Sequence, residues 1–272
     1  MIMKTNNYFF SLLFSSLLFL CIPSFFAQER LETQYNVAAH PKSGKADFEY
    51  VIQSQMIYPA NLLKKGIKAD VSFEFVVSAD GTIKNIEFKE NYKSEFQDEV
   101  KRLMRYVIYQ PAMMGNAPVA SKTSLTIKFD PSVYRKYTKA RGFVIHKESA
   151  KFDTSFVVYD RADSSPDYYK GGEEGLNEFI LTNLEYPDLA KRQGLQGVVL
   201  LKFIVEPNGT VSNIMIEKEF NHLCTNEAIR LLRETKWKPG TKDGKYVRYI
   251  TKYPIVFTIN NTTRDNSMGE QR

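Results

Sequence analysis

An internal duplication constrains this chain more than any other feature of its sequence. A shift of 128 residues pairs identical residues along both halves: Tyr58-Pro59 with Tyr186-Pro187, Gly81-Thr82 with Gly209-Thr210, and Arg102-Leu103 with Arg230-Leu231. The shift needs no gap, and its period is far longer than the roughly 20–45 residues of a solenoid repeat. The 272 residues therefore hold two copies of one small domain.

The duplication predicts how the chain is divided. We expect copy one at residues 48–131, as the more divergent copy, and copy two at residues 171–259. Around them the sequence predicts four further segments: a signal peptide over 1–27, an N-terminal linker over 28–47, a basic connector over 132–170 and a polar tail over 260–272.

The N-terminus has the pattern of an export signal. Lys4 precedes an apolar run over residues 8–22, and the small residue Ala27 comes before a polar segment. A positive start, a short apolar stretch and a small residue at the cleavage position are typical of a secretory signal peptide. We therefore predict a periplasmic protein. The alternative is an uncleaved anchor that holds the chain to the inner membrane, facing the periplasm.

The net charge of +6, from 37 basic and 31 acidic residues, is concentrated outside the copies. The connector holds eight basic and five acidic residues, whereas each copy is nearly neutral. This distribution predicts a solvated connector and argues against nucleic acid as a partner. Within the connector, residues 156–159 are apolar and are expected to add a short strand or to pack against copy two.

Hydrophobic periodicity predicts the fold of each copy. In copy two, Leu176, Ile180 and Leu184 form a helical stripe, and residues 198–205 are β-branched and apolar, as in a strand. Asn208-Gly209 is typical of a hairpin turn, a second apolar helix follows, and residues 246–259 read as a long last strand. The prediction is an α+β fold in which each copy has a three-stranded antiparallel sheet packed with helices.

Cysteine and histidine usage indicates no catalytic chemistry. Removal of the signal takes Cys21 away, and the 128-residue shift places the remaining Cys224 on Phe96, which predicts a core position. His40, His146 and His222 lack the spacing of metal ligands, and no nucleophile or phosphate-loop motif occurs. We therefore predict a protein that is not an enzyme and has no cofactor, metal or small-molecule substrate.

Copy two resembles a known domain. The residues that carry the resemblance are Tyr186-Pro187, Ala190, Gly194, Phe203, Asn208-Gly209, Ala228, Trp237-Lys238-Pro239 and Pro254-Ile255-Val256-Phe257. With this spacing the segment resembles the TonB C-terminal domain family of outer-membrane energy transducers. Copy one matches more loosely, since it has Asp70, Tyr109 and Thr126 where the family has Val, Trp and Pro.

The resemblance implies a peptide-binding site. In the family, the last strand presents a sheet edge, and the TonB box of an outer-membrane receptor pairs with it. By position, the implied contacts are Glu185, Tyr186, Pro187, Arg248, Tyr249, Ile250, Thr251, Lys252, Tyr253 and Val256. Pro254 agrees with an edge strand, because it has no N–H. A second interpretation stays open: Tyr186-Pro187 fixes a helix entry, and Pro254 protects the edge against aggregation.

The resemblance also implies a function. We expect a non-enzymatic periplasmic protein that binds peptide segments of a TonB-dependent outer-membrane receptor, or of another envelope protein, by strand addition. Its place is in TonB-linked transmembrane transport or its regulation. Residues 28–47 contain one proline, Pro41, and are short for a linker that reaches the outer membrane, which argues against force transmission. The alternative is a structural envelope protein that self-associates through its sheet edges, as in a homodimer.

Overall fold

A computed structural model describes residues 31–141 and 151–259. The predicted signal peptide and polar tail, and His146, lie outside the described residues. The helices are α1 (Lys45–Gln55), α2 (Ala60–Lys64), α3 (Ser94–Met104), α4 (Pro131–Arg141), α5 (Gly172–Asn183), α6 (Asp188–Arg192) and α7 (His222–Glu234). The strands are β1 (His40–Pro41), β2 (Ala69–Val77), β3 (Ile83–Phe88), β4 (Tyr109–Gln110), β5 (Ala112–Met114), β6 (Ala117–Val119), β7 (Ser121–Phe129), β8 (Val158–Tyr159), β9 (Asp167–Tyr168), β10 (Gly197–Val205), β11 (Val211–Lys218), β12 (Trp237–Lys238), β13 (Thr241–Lys242), β14 (Lys245–Tyr246) and β15 (Arg248–Phe257).

Each copy is built around an antiparallel sheet with a long central strand. In copy one the strand order is β3-β2-β7, and in copy two β11-β10-β15 repeats it. Helices pack on one face of each sheet, and each copy has its own hydrophobic core. The predicted α+β fold with three-stranded sheets is thus confirmed, with one addition: β8 joins the copy-two sheet as a fourth strand.

Duplicated turn and core positions keep their roles in both copies. Gly81 and Gly209 close the hairpins with φ of +84° and +80°, a region that glycine enters without steric cost. A Cβ on Gly81 would lie 2.6 Å from the carbonyl oxygen of Tyr109, so a larger residue does not fit there. Cys224 and Phe96 are both buried, which confirms the predicted core position.

The duplication extends upstream of the predicted copies. Leu31 forms a parallel bridge with Ala120, as Val158 does with Arg248. Strand β1 pairs with β4 in the same way that β9 pairs with β12. Residues 31–41 and 158–168 are therefore matching lead-in segments, although the sequence predicted a linker and a connector there. The pairings are one or two residues long, too short to leave a hydrophobic period.

The start of the predicted connector is helical. Helix α4 follows β7 directly, and Asp130 accepts the backbone N–H groups of Ser132 and Tyr134 through its side chain and its carbonyl, respectively. The Tyr134 ring contacts the Tyr58 ring in the core of copy one, with centroids 5.4 Å apart. This segment differs from the expected solvated connector because an aromatic side chain fastens it to copy one.

Helix α1 of copy one lies against copy two. Gln55 Nε2 donates to Thr210 Oγ1 at 2.7 Å, and a carboxylate oxygen of Asp47 accepts the N–H of Ile214 in β11 at 3.0 Å. Asn213 donates to the Tyr106 carbonyl at 2.8 Å, from a backbone with φ of +49°. Its counterpart Asn85 has φ of +51° but is exposed. The described residues of both copies form one compact unit. Asn213 makes a contact between the copies that its counterpart Asn85 does not make.

Asp47→Asn is expected to change how stability depends on pH. Burial is the main cause that raises the pKa of the Asp47 carboxyl above its ordinary value of 3.8, and Ser43, Arg233 and the Ile214 N–H oppose it. Because the pKa of this carboxyl is higher in the folded than in the unfolded state, the protonated carboxyl stabilises the fold. That contribution is fully present below pH 3.8 and is lost as the pH rises through the folded-state pKa. The amide keeps an acceptor for Ile214 N–H and carries no charge. Between pH 3 and 7, the free energy of unfolding of Asp47→Asn should therefore fall less steeply with rising pH than that of the unaltered chain. Denaturant unfolding at several pH values measures both slopes, and equal slopes would contradict the prediction.

Candidate peptide-binding site

The last strand of copy two is paired along one side only. Strand β15 pairs antiparallel with β10 at nine successive positions, from Tyr249 opposite Val205 to Phe257 opposite Gly197. Among the described residues, no strand lies against its other side from Ile250 onwards. Every second residue of this stretch thus directs its main-chain polar groups to an open edge, which is the requirement for strand addition. We call residues 250–257 the open edge.

Pro254 indicates which residues direct their main chain outwards. It lies opposite Leu200 in a ladder without register shifts, and a proline has no N–H to donate to β10. Its nitrogen is therefore expected to face the open edge. Because the orientation alternates along a strand, Lys252 and Val256 then offer N–H groups at the edge. Both side chains are exposed, Val256 by 46% of its surface.

The first two residues of β15 are already paired with the protein's own connector. Strand β8 lies parallel to β15, with Val158 opposite Arg248 and Tyr159 opposite Tyr249. The expectation that residues 156–159 add a short strand is thus confirmed. The Tyr249 hydroxyl also donates to the carbonyl of Asp160 at 2.9 Å. Arg248 and Tyr249, which the resemblance implied as peptide contacts, are occupied by this segment.

The Arg248 side chain has a structural role. It is 4% exposed and forms a buried ion pair with Glu206, with Nε 2.9 Å from Oε2. Its Nη2 donates to the carbonyl of Tyr106 at 3.0 Å, and its Nη1 to that of Arg105 at 3.2 Å. The guanidinium therefore joins copy two to copy one. The sequence contains one indication of this role: at the positions that correspond to Glu206 and Arg248, copy one has the uncharged Ser78 and Ala120.

The remaining predicted residues of β15 divide between two faces. Tyr253 contacts the core of copy two, and its hydroxyl donates to Asn177 Oδ1 at 2.6 Å. Burial raises the pKa of the Tyr253 hydroxyl above its ordinary value. Lys252 lies on the solvent side, with Nζ 3.7 Å from a carboxylate oxygen of Glu217. Ile250 and Thr251 are half-buried. The open edge thus presents a lysine and a valine to solvent.

Tyr186 fixes the entry of a helix. Its ring is buried edge-on to Phe257 with centroids 5.6 Å apart, and its hydroxyl donates to the carbonyl of Leu195. Tyr58 makes the same bond with Ile67 in copy one. Pro187 immediately precedes α6. These contacts favour the helix-entry role for the Tyr186 side chain, and contact of Tyr186 with a peptide stays a prediction.

Glu185 is held through its backbone. Its N–H donates to Glu227 Oε1 at 2.7 Å, and Glu227 forms an ion pair with Arg230. Copy one repeats this arrangement with Glu99 and Arg102. The exposed side chain of Glu185 lines a cavity of about 530 Å³ beside Pro187. Contact of Glu185 and Pro187 with a peptide stays a prediction.

Tyr186→Phe should lower stability without affecting binding. The change removes one hydrogen bond and keeps the ring, so the free energy of unfolding is expected to fall by about 1 kcal/mol. Denaturant unfolding measures the loss, and Tyr58→Phe in copy one is the matched control with a similar expected loss. Weaker receptor capture by Tyr186→Phe at unchanged stability would show instead that the hydroxyl contacts the partner.

Two further properties bear on what the site can do. Across residues 31–141 and 151–259, no three His, Cys, Asp or Glu side chains come close enough together to hold a metal ion. Within the same part of the chain, no helix has the length and apolar character needed to cross a membrane.

These features define a class of protein: a duplicated α+β domain with an open strand edge. The family described as Gram-negative bacterial TonB protein C-terminal matches residues 54–131 and 182–259, which is more than half of the chain. The chain therefore belongs to the TonB C-terminal family and contains two copies of its domain.

Individual relatives match over shorter stretches. Protein TonB of Xanthomonas campestris pv. campestris, from strains B100 and ATCC 33913, is 32% identical over 77 residues, which are 28% of this chain and 34% of that protein. The match thus spans about a third of the length of these curated relatives. The NMR structure of the Pseudomonas aeruginosa TonB CTD is 27% identical with a TM-score of 0.24, over 27% of this chain and 76% of that one. The Helicobacter pylori TonB-CTD is 22% identical with a TM-score of 0.24, over 34% and 87%.

Proposed function

We propose that this protein binds an extended peptide segment of an outer-membrane receptor, or of another envelope protein, at the open edge. The observation that carries the proposal is the ladder of β15, which is complete towards β10 and, within residues 31–141 and 151–259, has no strand partner on its other side over residues 250–257. Strand addition at such an edge obtains affinity from main-chain hydrogen bonds and specificity from the alternate side chains. Eight residues offer about four outward-facing positions.

The family supports a receptor as the partner, because TonB proteins interact with outer-membrane receptors. The exposed side chains suggest what the edge selects. Lys252 favours an acidic or polar group on the incoming strand, and Val256 favours an apolar one. Pro254 has no N–H to donate at the edge. The incoming strand must therefore tolerate a carbonyl opposite Pro254 that receives no hydrogen bond from β15.

We further propose a periplasmic location after removal of residues 1–27, in TonB-linked transport or its regulation. The export pattern of the sequence and membership in a family of envelope proteins support it. Sequencing the N-terminus of the mature protein tests this part. A chain that begins at residue 28 is expected; an intact residue 1 in the inner-membrane fraction would indicate an anchored transducer.

Capture from an outer-membrane extract tests the proposed function. The immobilised full chain is expected to retain receptors that carry an N-terminal TonB-box peptide, identified by mass spectrometry. The same receptors with that peptide deleted should be lost from the captured fraction. Retention of both forms alike would contradict strand addition by the TonB box.

Self-association through the sheet edges is the second candidate function. Strand β7, the counterpart of β15 in copy one, is also paired on one side only among the described residues, as are the outer strands β3 and β11. Lys122 on β7 forms ion pairs with Glu74 and Glu87, at 2.7 and 3.3 Å, and charges on an edge discourage pairing with another copy. Sedimentation analysis distinguishes the candidates, since a stable dimer that excludes receptors supports self-association.

A further inference from the structure

Phe156, in the connector, is held by two residues of copy one. The guanidinium carbon of Arg105 lies 4.0 Å from the centroid of the Phe156 ring. The Tyr106 ring meets the same ring edge-on, with centroids 4.9 Å apart. Cation–π and edge-to-face contacts of this kind each stabilise an aromatic side chain by about 0.5–1.5 kcal/mol. We call Arg105 and Tyr106 the aromatic clamp.

The main chain beside Phe156 is held as well. Arg105 Nη2 donates to the carbonyl of Ser155 at 3.1 Å and to that of Thr154 at 3.4 Å. Arg248 Nη1 donates to the carbonyl of Phe156 at 3.3 Å. Three successive carbonyl groups are thus bound by arginine side chains. These bonds hold the main chain of residues 154–156 and do not depend on the side chains of those residues.

Phe156 has a strained backbone. Its φ is +64°, in the left-handed region that costs a residue with a Cβ roughly 1–2 kcal/mol. A bulky side chain keeps such a conformation only where its surroundings impose it. The contacts of the clamp must therefore outweigh the local preference of the chain. An isolated aromatic residue in a solvated connector would have no reason to adopt this φ.

The clamp is continuous with the sheet edge. Phe156 lies two residues before Val158, the first residue of β8, and β8 pairs in parallel with Arg248 and Tyr249. The open edge begins at the next residue, Ile250. The segment 154–159 therefore has the two parts of a bound peptide, an anchoring side chain and a stretch that adds to the sheet.

We propose that the aromatic clamp is a binding site for an aromatic side chain of an extended peptide partner, and that Phe156 is its intramolecular occupant. The inference rests on the proposed function, because it names a feature of the same partner. That partner carries an aromatic residue two positions before the residue that pairs with Arg248, and it runs parallel to β15 along the open edge. To bind fully it displaces residues 156–159.

Tethering explains why the clamp is occupied. A segment linked to its own site acts at an effective concentration that reaches the millimolar range. An external peptide with similar contacts competes poorly until the internal segment is weakened. Phe156→Ala empties the clamp, and Val158→Pro disrupts the added strand. Neither residue belongs to the hydrophobic core of either copy, so the double variant keeps both cores.

The test uses the full chain and a synthetic peptide with the sequence of residues 154–160, Thr-Ser-Phe-Val-Val-Tyr-Asp. Fluorescence anisotropy is expected to show at least tenfold tighter binding of this peptide to the double variant Phe156→Ala/Val158→Pro than to the unaltered chain. A peptide with Ala in place of Phe should bind the double variant at least tenfold more weakly. Adding Arg105→Ala should remove that difference. Equal binding of the two peptides to the double variant, or no binding of either, overturns the proposal.

Hydrogen exchange gives a second measurement that needs no peptide. In Arg105→Ala alone, the amides of Val158 and Tyr159 are expected to exchange at least tenfold faster than in the unaltered chain, and unchanged exchange overturns the proposal. Receptor capture separates this inference from the proposed function. Peptide binding that requires Phe, without receptor capture, supports the clamp and contradicts the proposed function. Receptor capture combined with equal binding of both peptides does the reverse.

Discussion

Replacing Arg248 with alanine is expected to lower the free energy of unfolding by about 3–5 kcal/mol, the usual cost of breaking a buried ion pair by removing one partner. Glu206 has no exposed surface, so its carboxylate would be left in the interior without its counter-charge. The carbonyl of Arg105 would lose this donor in the same step, whereas that of Tyr106 would keep the bond from the Asn213 amide. Denaturant unfolding of the full chain, followed by tryptophan fluorescence and circular dichroism, measures the loss.

Copy one supplies the control for this prediction. It has Ser78 and Ala120 at the positions of Glu206 and Arg248. The double variant Glu206→Ser/Arg248→Ala therefore gives copy two the same two residues that copy one has at these positions. We expect the double variant to be more stable than Arg248→Ala alone, because no unpaired charge stays buried. A double variant as unstable as the sum of the two single variants would show that the pair does not act as a unit.

The core of each copy could be predicted because it follows from patterns that the duplication repeats. The apolar periodicity and the hairpin glycine occur in both copies, and Cys224 and Phe96 occupy the same core position. Two sequences that form one fold exclude any structural interpretation that fits only one of them. Gly81 shows the physical reason: its turn needs a positive φ and has no room for a Cβ. Local constraints of this kind are visible in a sequence.

The contacts between the copies could not be predicted in the same way. Asp47, Gln55 and Asn213 are polar residues that join α1 and the end of α3 to copy two, and no periodicity marks such residues. The differences between copies were the available signal. Glu206 and Arg248 are charged where copy one has Ser78 and Ala120, but a sequence does not say which surface covers a new charge.

The candidate site was therefore predicted in part. The edge strand and its proline could be read from the sequence, since Pro254 restricts where its strand can lie. The sequence could not show that β8 covers Arg248 and Tyr249, because a two-residue strand has no period. Nor could it show that Tyr186 is buried, since a tyrosine serves equally as a core residue and as an exposed contact.

Val256→Pro is expected to reduce receptor capture at least about fivefold. Val256 offers an N–H at the open edge, and proline removes it, leaving an acceptor of the incoming strand unsatisfied. That loss costs about 1–3 kcal/mol, which corresponds to roughly 5-fold to more than 100-fold in affinity. The fold should tolerate the change, because Pro254 already occupies the equivalent orientation two residues earlier in the same strand.

Two variants make this result specific. Val256→Ala keeps the N–H and removes the side chain, so it separates main-chain pairing from apolar contact; receptor capture should stay within about threefold, since only part of one exposed side chain is lost. Lys128→Pro is the matched change in copy one, because the 128-residue shift places Lys128 on Val256. Undiminished capture by Val256→Pro would rule out strand addition at the end of β15. Loss of capture by Lys128→Pro alone would place the receptor on β7, because Lys128→Pro removes a donor from β7 and Val256→Pro removes one from β15.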